Sequence, residues 1–255
     1  MTAPTLITSR DNSLLKELRK LNADNTGYRK TGRFWIEGDH LCSAALQRGL
    51  KPAMALFSES YWPLAPVEYA QTAIKSIVIT DVLFRELSGL ESPAKVGFVL
   101  DLPVAPIIQA QFATVILDRV QDAGNVGSIL RSAGAFGFGQ VLALQGTAAL
   151  WSPKVLRAGM GAHFGLTLIE GLTLADLDAL KVPIVVTSSH RGELIQHLQM
   201  PQPCAWAMGH EGQGVSPELM ARASHFARIG QPGGEESLNV AAAAAICLHA
   251  SSVRS

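Results

Sequence analysis

Long apolar runs are missing from this chain of 255 residues. A membrane-spanning helix needs about 18 or more consecutive apolar residues, and no stretch of the sequence reaches that length. The first ten residues also lack the apolar core of a secretion signal. These absences exclude a membrane-embedded protein and predict a cytoplasmic one.

Cysteine is scarce, because only Cys42, Cys204 and Cys247 occur and they lie far apart in the sequence. An odd number of isolated cysteines provides neither a disulfide framework nor the closely spaced pairs that bind zinc. We therefore expect buried thiols in a reducing compartment, and no metal site.

Charged residues make up only 16% of the chain, and 21 basic residues balance 21 acidic ones. A net charge of zero gives no general attraction to nucleic acid. The distribution is uneven, however, since residues 1–51 contain nine Lys or Arg against five Asp or Glu. This basic portion is either a phosphate-binding surface or an ordinary solvated one. The candidate RNA contacts are Lys16, Lys20, Arg29, Lys30 and Arg33.

Hydrophobic residues are plentiful, at 48%, and form alternating strand-like and helix-like runs. This alternation over the first hundred residues predicts an α/β unit, and two prolines within residues 101–106 predict a linker. Beyond it, apolar runs interleaved with helical segments predict a parallel sheet covered on both faces. We expect two domains, residues 1–105 and 112–255. The predicted strands of the second domain include residues 114–117, 140–144, 184–187 and 205–208.

Three glycine-containing loops follow predicted strands of the second domain, at residues 118–131, 209–216 and 229–239. Ligands bind beyond the carboxyl ends of the strands in an open parallel sheet, so the three loops predict one site. Glycine there lets the backbone approach a ligand closely. The polar side chains that these loops contribute are Asn125, Arg131, Glu211, Ser237 and Asn239.

In order and spacing, these loops resemble the three signature motifs of the SpoU (TrmH-type) branch of the SPOUT RNA methyltransferases. The motifs are Asn-x-Gly-x-x-x-Arg from Asn125, Gly-x-Glu-x-x-Gly from Gly209, and Ser-Leu-Asn from Ser237. The resemblance covers residues 112–250. More loosely, the first hundred residues resemble the small α/β domain, akin to ribosomal RNA-binding proteins, that binds substrate in many members.

The resemblance implies a SPOUT domain with a trefoil knot and a homodimer with its active site beside the subunit interface. It also implies methyl transfer from S-adenosylmethionine to a ribose 2′-hydroxyl of ribosomal or transfer RNA, and the additional N-terminal domain favours ribosomal RNA. Gly209, Ile229, Leu238 and Ser237 are then the cofactor contacts. The implied catalytic set is Arg131, Asn125, Glu211, Ser237 and Asn239.

Arg131 is the implied catalytic residue, but a guanidinium stays protonated at neutral pH and is a poor base. Its planar fork suits phosphate and a developing alkoxide instead. Glu211 is expected to orient either Asn125 or Arg131. Ser237 and Asn239 are also plausible caps of the alanine-rich helix that follows them. His210 occupies a variable position of the family and is interpreted as a loop residue.

The chain departs from the usual motifs at a few positions. Ala123-Gly124 precedes Asn125 where proline is frequent, Ser132 replaces threonine, and Gly230-Gln231 replaces Pro-Met. No reactive group is lost, so these changes bear on loop rigidity and cofactor affinity.

Two other functions are compatible with the sequence. A non-catalytic RNA-binding protein could use the same fold, although retention of all the motif side chains argues against it. A nucleotide-dependent dehydrogenase is the second alternative. The segment Gly159–Gly165 is glycine-rich, but its spacing differs by one from the dinucleotide-binding pattern and no strand directly precedes it.

Overall fold

The structure is a computed structural model that describes residues 4–188, 191–233 and 237–252. The chain forms two compact units, of which the first comprises Met1–Val104 with Trp151–Phe164. The second comprises Ala105–Leu150 with Gly165–Ser255. The sequence placed Trp151–Phe164 within the second domain. In the structure this segment belongs to the first unit, where the ring of Trp151 packs on the ring of Phe34 with the centroids 4.7 Å apart.

The helices and strands alternate along the chain. The first part contains β1 (Thr5–Ile7), α1 (Ser13–Ala23), α2 (Gly27–Thr31), β2 (Arg33–Glu37), α3 (Asp39–Gln47), β3 (Met54–Ser58), α4 (Val67–Thr72), β4 (Lys75–Ile79), α5 (Asp81–Leu87) and β5 (Val96–Asp101). The remainder contains β6 (Thr114–Asp118), α6 (Ala123–Ala135), β7 (Gln140–Leu144), α7 (Pro153–Gly159), β8 (Thr167–Leu172), β9 (Ile184–Thr187), β10 (Glu193–Leu194), β11 (Ala205–Gly209), α8 (Pro217–Met220), β12 (His225–Arg228) and α9 (Val240–Ser252). Single turns of 3₁₀-helix occur at Trp62–Leu64, Ala162–Gly165 and Ala175–Ala179.

The first unit is built on a mixed sheet with the strand order β1-β4-β3-β5-β2. Strand β5 runs antiparallel to both of its neighbours, whereas β1, β4 and β3 pair in parallel. Helix α1 begins after Asn12, whose side chain accepts a hydrogen bond from the N–H of Leu14. Such a cap satisfies one of the unpaired amides at a helix start. The helix buries Leu15, Leu18 and Leu21, which recur at helical spacing along one face.

The second unit has an all-parallel sheet with the strand order β10-β12-β9-β11-β6-β7-β8. The predicted parallel α/β fold is therefore confirmed. Ile116, Leu142 and Val186 from its strands share one buried cluster with side chains from the flanking segments. Because every strand runs the same way, the loops that follow β6, β11 and β12 leave the same edge of the sheet.

Helices α6 and α9 pack side by side over this sheet. Helix α9 buries Ala244, Cys247 and Leu248 against its neighbours, and its small residues permit close contact with α6. On the opposite face of α9, Ala242 and Ile246 are exposed. The alanine run thus forms a helix with one face in the core and another open to solvent.

The three cysteines are free and buried, as the sequence predicted. Burial raises the pKa of the Cys204 thiol to about 11, so it stays protonated at neutral pH. Within residues 4–188, 191–233 and 237–252, no helix combines the length and apolar character needed to cross a bilayer. In the same ranges, His, Cys, Asp and Glu side chains form no cluster of three suited to a metal ion.

Candidate active site

Three loops meet at the carboxyl edge of the second sheet. The last residue of β11, Gly209, pairs with Asp118, the last residue of β6, so both strands end at the same level. Strand β12 runs parallel to these two strands, one place further along the sheet beyond β9. We call the segments that follow β6, β11 and β12 the first, second and third loops. Hydrogen bonds between their side chains show that the loops are in contact.

Glu211 joins the second loop to the start of α6. Its Oε2 accepts a hydrogen bond from the backbone N–H of Gln121, 3.1 Å away. Its Oε1 accepts one from the N–H of Asp122 at 3.0 Å and one from the side-chain amide of Asn125 at 3.1 Å. Unpaired amides and the helix dipole both favour a negative charge at a helix N-terminus. Of the two partners that the sequence allowed for Glu211, the structure pairs it with Asn125 and forms no hydrogen bond to Arg131.

These contacts determine the charge of Glu211. Partial burial raises the pKa of its carboxyl group, but the N–H of Asp122, the amide of Asn125 and the N–H of Gln121 together outweigh that effect. The net result is a pKa lowered to about 2. Hydrogen bonds donated to a carboxylate stabilise its ionised form, so Glu211 is anionic at neutral pH. A carboxylate with so low a pKa is a weak proton acceptor, and its hydrogen bonds connect the second loop to Asn125 and to the start of α6.

Asn125 and Asn239 connect the first loop with the third. The side-chain amide of Asn239 donates a hydrogen bond to Oδ1 of Asn125 at 3.0 Å. Oδ1 of Asn239 accepts hydrogen bonds from the N–H groups of Ala241 and Ala242, at 2.9 and 3.2 Å, and thereby caps α9. The capping role predicted for Asn239 is confirmed. We call Glu211, Asn125 and Asn239 the junction, because one chain of hydrogen bonds through them joins all three loops.

The second loop turns back on itself immediately after β11. Gly209 has no room for a side chain, since a Cβ there would lie 2.1 Å from the backbone carbonyl carbon of Gly214. The backbones of His210 and Gly214 pair in both directions, at 3.0 and 2.8 Å. The ring Nδ1 of His210 accepts hydrogen bonds from the N–H groups of Gly212 and Gln213, at 3.0 and 3.2 Å. His210 therefore braces the loop, a role that its spacing alone did not indicate.

Asp118 makes a further link between the first and second loops that the sequence analysis missed. Only 2% of its surface is exposed, and its Oδ2 accepts a hydrogen bond from the N–H of Ser216 at 2.6 Å. Its Oδ1 pairs with Nε of Arg119 at 3.0 Å, and Nη1 of Arg119 donates to the side chain of Gln213, also at 3.0 Å. A carboxylate at the end of an otherwise apolar strand was the available signal.

The side chains beside the junction are much less engaged. Arg131 lies on the exposed face of α6 and makes no hydrogen bond or ion pair with any residue that the structure describes. Ser237 is exposed as well, and its side chain makes no such contact with the described residues. The sequence grouped both residues with the junction as catalytic candidates. Within the described residues, the functional groups of both side chains are unpaired.

The third loop carries the remaining cofactor candidates. Ile229 is half-buried, whereas 40% of the surface of Leu238 is exposed. Oε1 of Gln231 is buried without a hydrogen-bond partner among the described residues. A buried acceptor without a donor costs free energy, so this oxygen suits a ligand that carries an N–H group. The predicted motif positions 234–236 lie outside the described residues.

The candidate RNA contacts lie on neighbouring elements of the first unit. Lys16 and Lys20 are on α1, Arg29 and Lys30 are on α2, and Arg33 begins β2. Two of them are neutralised, since Lys16 pairs with Asp11 at 2.9 Å and Arg33 pairs with Asp101 at 2.8 Å. Lys20 and Lys30 are exposed and form no ion pair within the described part of the chain.

Comparison with known families and proteins agrees with this arrangement. The SpoU rRNA Methylase family matches residues 113–249, and the MRM3-like substrate binding domain family matches residues 12–97. The chain is 30% identical to the Bacillus subtilis 23S rRNA (guanosine(2553)-2′-O)-methyltransferase RlmP, over 95% of this chain and 97% of that protein. It is 36% identical to human mitochondrial rRNA methyltransferase 3, over 56% of this chain and 36% of that protein.

A solved structure extends the similarity to three dimensions. The AdoMet-bound rRNA methyltransferase from Sinorhizobium meliloti superposes with a TM-score of 0.86 at 26% identity, over 98% of both chains. The matched family range includes all three loops and the junction. The chain belongs to the SpoU rRNA methylase family and is an S-adenosylmethionine-dependent RNA methyltransferase.

Proposed function

We propose that this protein transfers a methyl group from S-adenosylmethionine to a ribose 2′-hydroxyl of ribosomal RNA. The junction carries the proposal, because it holds three motif loops together at the sheet edge where ligands bind. The relatives named above support ribosomal RNA as the substrate, since RlmP is named for 2′-O-methylation of a guanosine in 23S rRNA.

The second and third loops fit the cofactor. Leu238 and Ile229 offer apolar surface for a purine ring, and the unpaired Oε1 of Gln231 offers an acceptor for an amino group. Gly209 and Ser237 complete the proposed set. When bound, S-adenosylmethionine supplies an electrophilic methyl group on a sulfonium centre.

Arg131 acts on the RNA. Its guanidinium has no partner among the described residues, so its donors are available to a phosphate of the substrate. A fixed positive charge also stabilises the negative charge that develops on the 2′-oxygen. Asn125, Glu211 and Asn239 are the positioning residues that hold the loops around this reaction, and Ser237 contacts substrate or cofactor.

The two domains have different functions. Residues 1–105 bind the RNA substrate, and residues 112–255 hold the cofactor and catalyse transfer. The match of residues 12–97 to a substrate-binding domain supports this division. Within the first unit, the exposed Lys20 and Lys30 are available to contact phosphate. Arg29 is a further candidate, although its Nε donates a hydrogen bond to the hydroxyl of Tyr28 at 3.2 Å. Lys16 and Arg33 contribute only after exchanging their present carboxylate partners.

The protein works in the cytoplasm as a homodimer with a knotted second domain. The chain leaves β12 near one end of the sheet, yet α9 packs on α6 and on the central strand β11. That path is consistent with a third loop threaded through the fold. The exposed side of α9, with Ala242 and Ile246, offers a flat apolar surface for a second copy. Sedimentation is the test, and a species of only 27.1 kDa at micromolar concentration would contradict the dimer.

Methyl transfer is tested with tritiated S-adenosylmethionine and ribosomal RNA from a strain that lacks the gene. We expect label in this RNA, and mass spectrometry should locate it on a ribose 2′-oxygen. RNA binding without label would instead favour a non-catalytic RNA-binding protein. Label on a base, or in transfer RNA alone, would contradict the proposed reaction or substrate.

A further inference from the structure

A cleft separate from the junction opens at the carboxyl ends of β6, β7 and β8. Its volume is about 340 Å³, and residues of all three strand ends line it. None of the predicted catalytic or cofactor residues is among its lining side chains. Clefts of roughly 300 Å³ and upward accommodate small organic ligands. This volume therefore suits a single flat heterocycle with part of its sugar.

Three leucines give the cleft an apolar wall. Leu144, at the end of β7, is buried, and Leu172 and Leu174 follow on the neighbouring strand and loop. Such side chains provide apolar surface for a ring. They offer no hydrogen bonds to replace the water that a charged group would lose on binding. The cleft thus favours a neutral planar ligand.

Arg119 lines the cleft and has a backbone conformation that residues other than glycine rarely adopt. Its φ is 60°, in the left-handed region where a Cβ is crowded. Its guanidinium is fixed by Asp118 on one side and by Gln213 on the other. Backbone strain that persists at a ligand-accessible position points to a function, and guanidinium planes stack on unpaired bases. The contact with Gln213 ties this guanidinium to the second loop.

The rim of the cleft carries three polar side chains, two of which have no partner among the residues that the structure describes. Ser216 precedes α8, but its hydroxyl does not cap that helix and has no partner within the described residues. The carboxylate of Glu218 is exposed and makes no hydrogen bond or ion pair there either. Gln145 adds an exposed amide, whose Nε2 donates a hydrogen bond to the backbone carbonyl oxygen of Gly171 at 3.5 Å. Together these groups can pair with the donors and acceptors along the edge of a base.

Charge distinguishes a base from a phosphate as the occupant. Asp118 and Glu218 outweigh the one guanidinium of Arg119 among the charged lining residues. An anionic group would therefore meet a net negative surface, whereas a nucleobase is neutral. We propose that this cleft binds one unstacked nucleobase of the RNA strand. The proposal rests on the proposed function, since it names a substrate contact of the same enzyme.

The test fills the cleft. Gln145→Trp places a large ring at an exposed position of the cleft, and Gln111→Trp makes the same change at an exposed position before β6, near the opposite edge of the sheet. Stacking of a base on a protein side chain contributes about tenfold or more to binding. We expect Gln145→Trp to lower kcat/KM for ribosomal RNA about tenfold relative to Gln111→Trp. Affinity for S-adenosylhomocysteine, measured by calorimetry, should be unchanged in both.

Nuclear magnetic resonance gives a readout that is independent of catalysis. The full-length protein, saturated with S-adenosylhomocysteine, is titrated with AMP, GMP, CMP and UMP, and separately with inorganic phosphate. We expect at least one nucleotide to shift the amide signals of Gln145, Thr173 and Glu218 saturably, and Glu218→Ala to weaken this binding. Inorganic phosphate should leave these signals unchanged.

Several outcomes would overturn the proposal. One is the absence of nucleotide-dependent shifts at the cleft, and another is equal RNA methylation by the two tryptophan variants. Shifts caused by phosphate alone would identify an anion site. If Gln145→Trp lost S-adenosylhomocysteine affinity by as much as it lost kcat/KM, the cleft would belong to the cofactor. If the wild-type protein methylates no RNA, the proposed function fails, and the nucleotide titration still decides whether the cleft takes a base.

Discussion

The junction and the side chains beside it differ in how their polar groups are satisfied. Glu211, Asn125 and Asn239 bond to one another and to two helix N-termini. Arg131 and Ser237 make no hydrogen bonds with described residues, although they belong to the same motifs. Polar groups that are bonded internally set the geometry of the loops. Groups that stay open are available to substrate and cofactor, so substitutions in the two sets should have different effects.

Arg131→Ala should give the largest loss of methylation rate, and it should leave the hydrogen bonds of the junction intact. Removing one preorganised charge from a reaction centre typically costs on the order of 10²–10³ in rate. Because the guanidinium makes no hydrogen bond or ion pair with any described residue, the melting temperature and S-adenosylmethionine affinity should stay close to wild type. Single-turnover methylation of ribosomal RNA, with calorimetry for the cofactor, measures both.

Arg131→Lys is the matched control for charge. It retains the positive charge but not the planar guanidinium, so its rate of methyl transfer should also fall substantially. Full turnover by Arg131→Ala would return Arg131 to an ordinary exposed helix residue. Recovery of most of the rate in Arg131→Lys would mean that charge, rather than bidentate geometry, matters.

Glu211→Gln should affect the junction instead, with a loss of about tenfold in rate through misplacement of Asn125. It should also lower stability by on the order of 1 kcal/mol, a value reduced for the exposure of this carboxylate. The matched control is Glu193→Gln, an exposed glutamate on β10, which should change neither quantity.

The pH dependence of that stability loss follows from the lowered pKa of Glu211, about 2 in the folded protein. A carboxyl group whose pKa is lowered by folding stabilises the protein above its ordinary pKa. This contribution disappears as the pH falls toward the folded value. Denaturant unfolding should therefore show the full difference between wild type and Glu211→Gln near pH 7, and a shrinking difference below about pH 4.5. A difference independent of pH would show that the charge of Glu211 does not support the junction.

Sequence patterns predicted the strands that carry continuous apolar runs, and missed β8 and β10, which carry none. The apolar runs at Gln140–Leu144 and Ile184–Thr187 have the bounds that the sequence indicated. Strand β8 was missed because its run is interrupted by Glu170 and Gly171, and only Leu168 in it is buried. Strand β10 has two residues and leaves almost no periodic signal.

The convergence of the loops was predictable for a related reason, since parallel strands bring their carboxyl ends to one edge. The pairing within the site was not. Whether Glu211 meets Asn125 or Arg131 depends on the turn before α6, which no periodicity encodes. The bond between Asp118 and Ser216 joins residues far apart in sequence and exists only once both strands end side by side.

Leu238→Ala tests the exposed side chains that are proposed to contact the cofactor. Leu238 is 40% exposed, so truncation removes little of the core. The loss of apolar contact should raise the dissociation constant of S-adenosylmethionine about fivefold, with a similar effect on rate at low cofactor concentration. Calorimetry with S-adenosylhomocysteine measures this. The matched control is Leu6→Ala, at an exposed leucine on β1 of the first unit, which should leave cofactor affinity unchanged.

His210 should give the smallest effect, because its imidazole bonds only to backbone N–H groups of the second loop and to no side chain of the junction. Its Nδ1 accepts two backbone hydrogen bonds at the surface, each contributing about 0.5 kcal/mol in an exposed setting. Replacing His210 with alanine should therefore loosen the turn and weaken cofactor binding about threefold, whereas His210→Asn keeps an acceptor and should recover part of the loss. Hydrogen exchange at the amides of Gly212 and Gln213 reports the turn directly. If their exchange rates are the same in wild type and His210→Ala, the imidazole does not hold the loop, and the rigid set is confined to Glu211, Asn125 and Asn239.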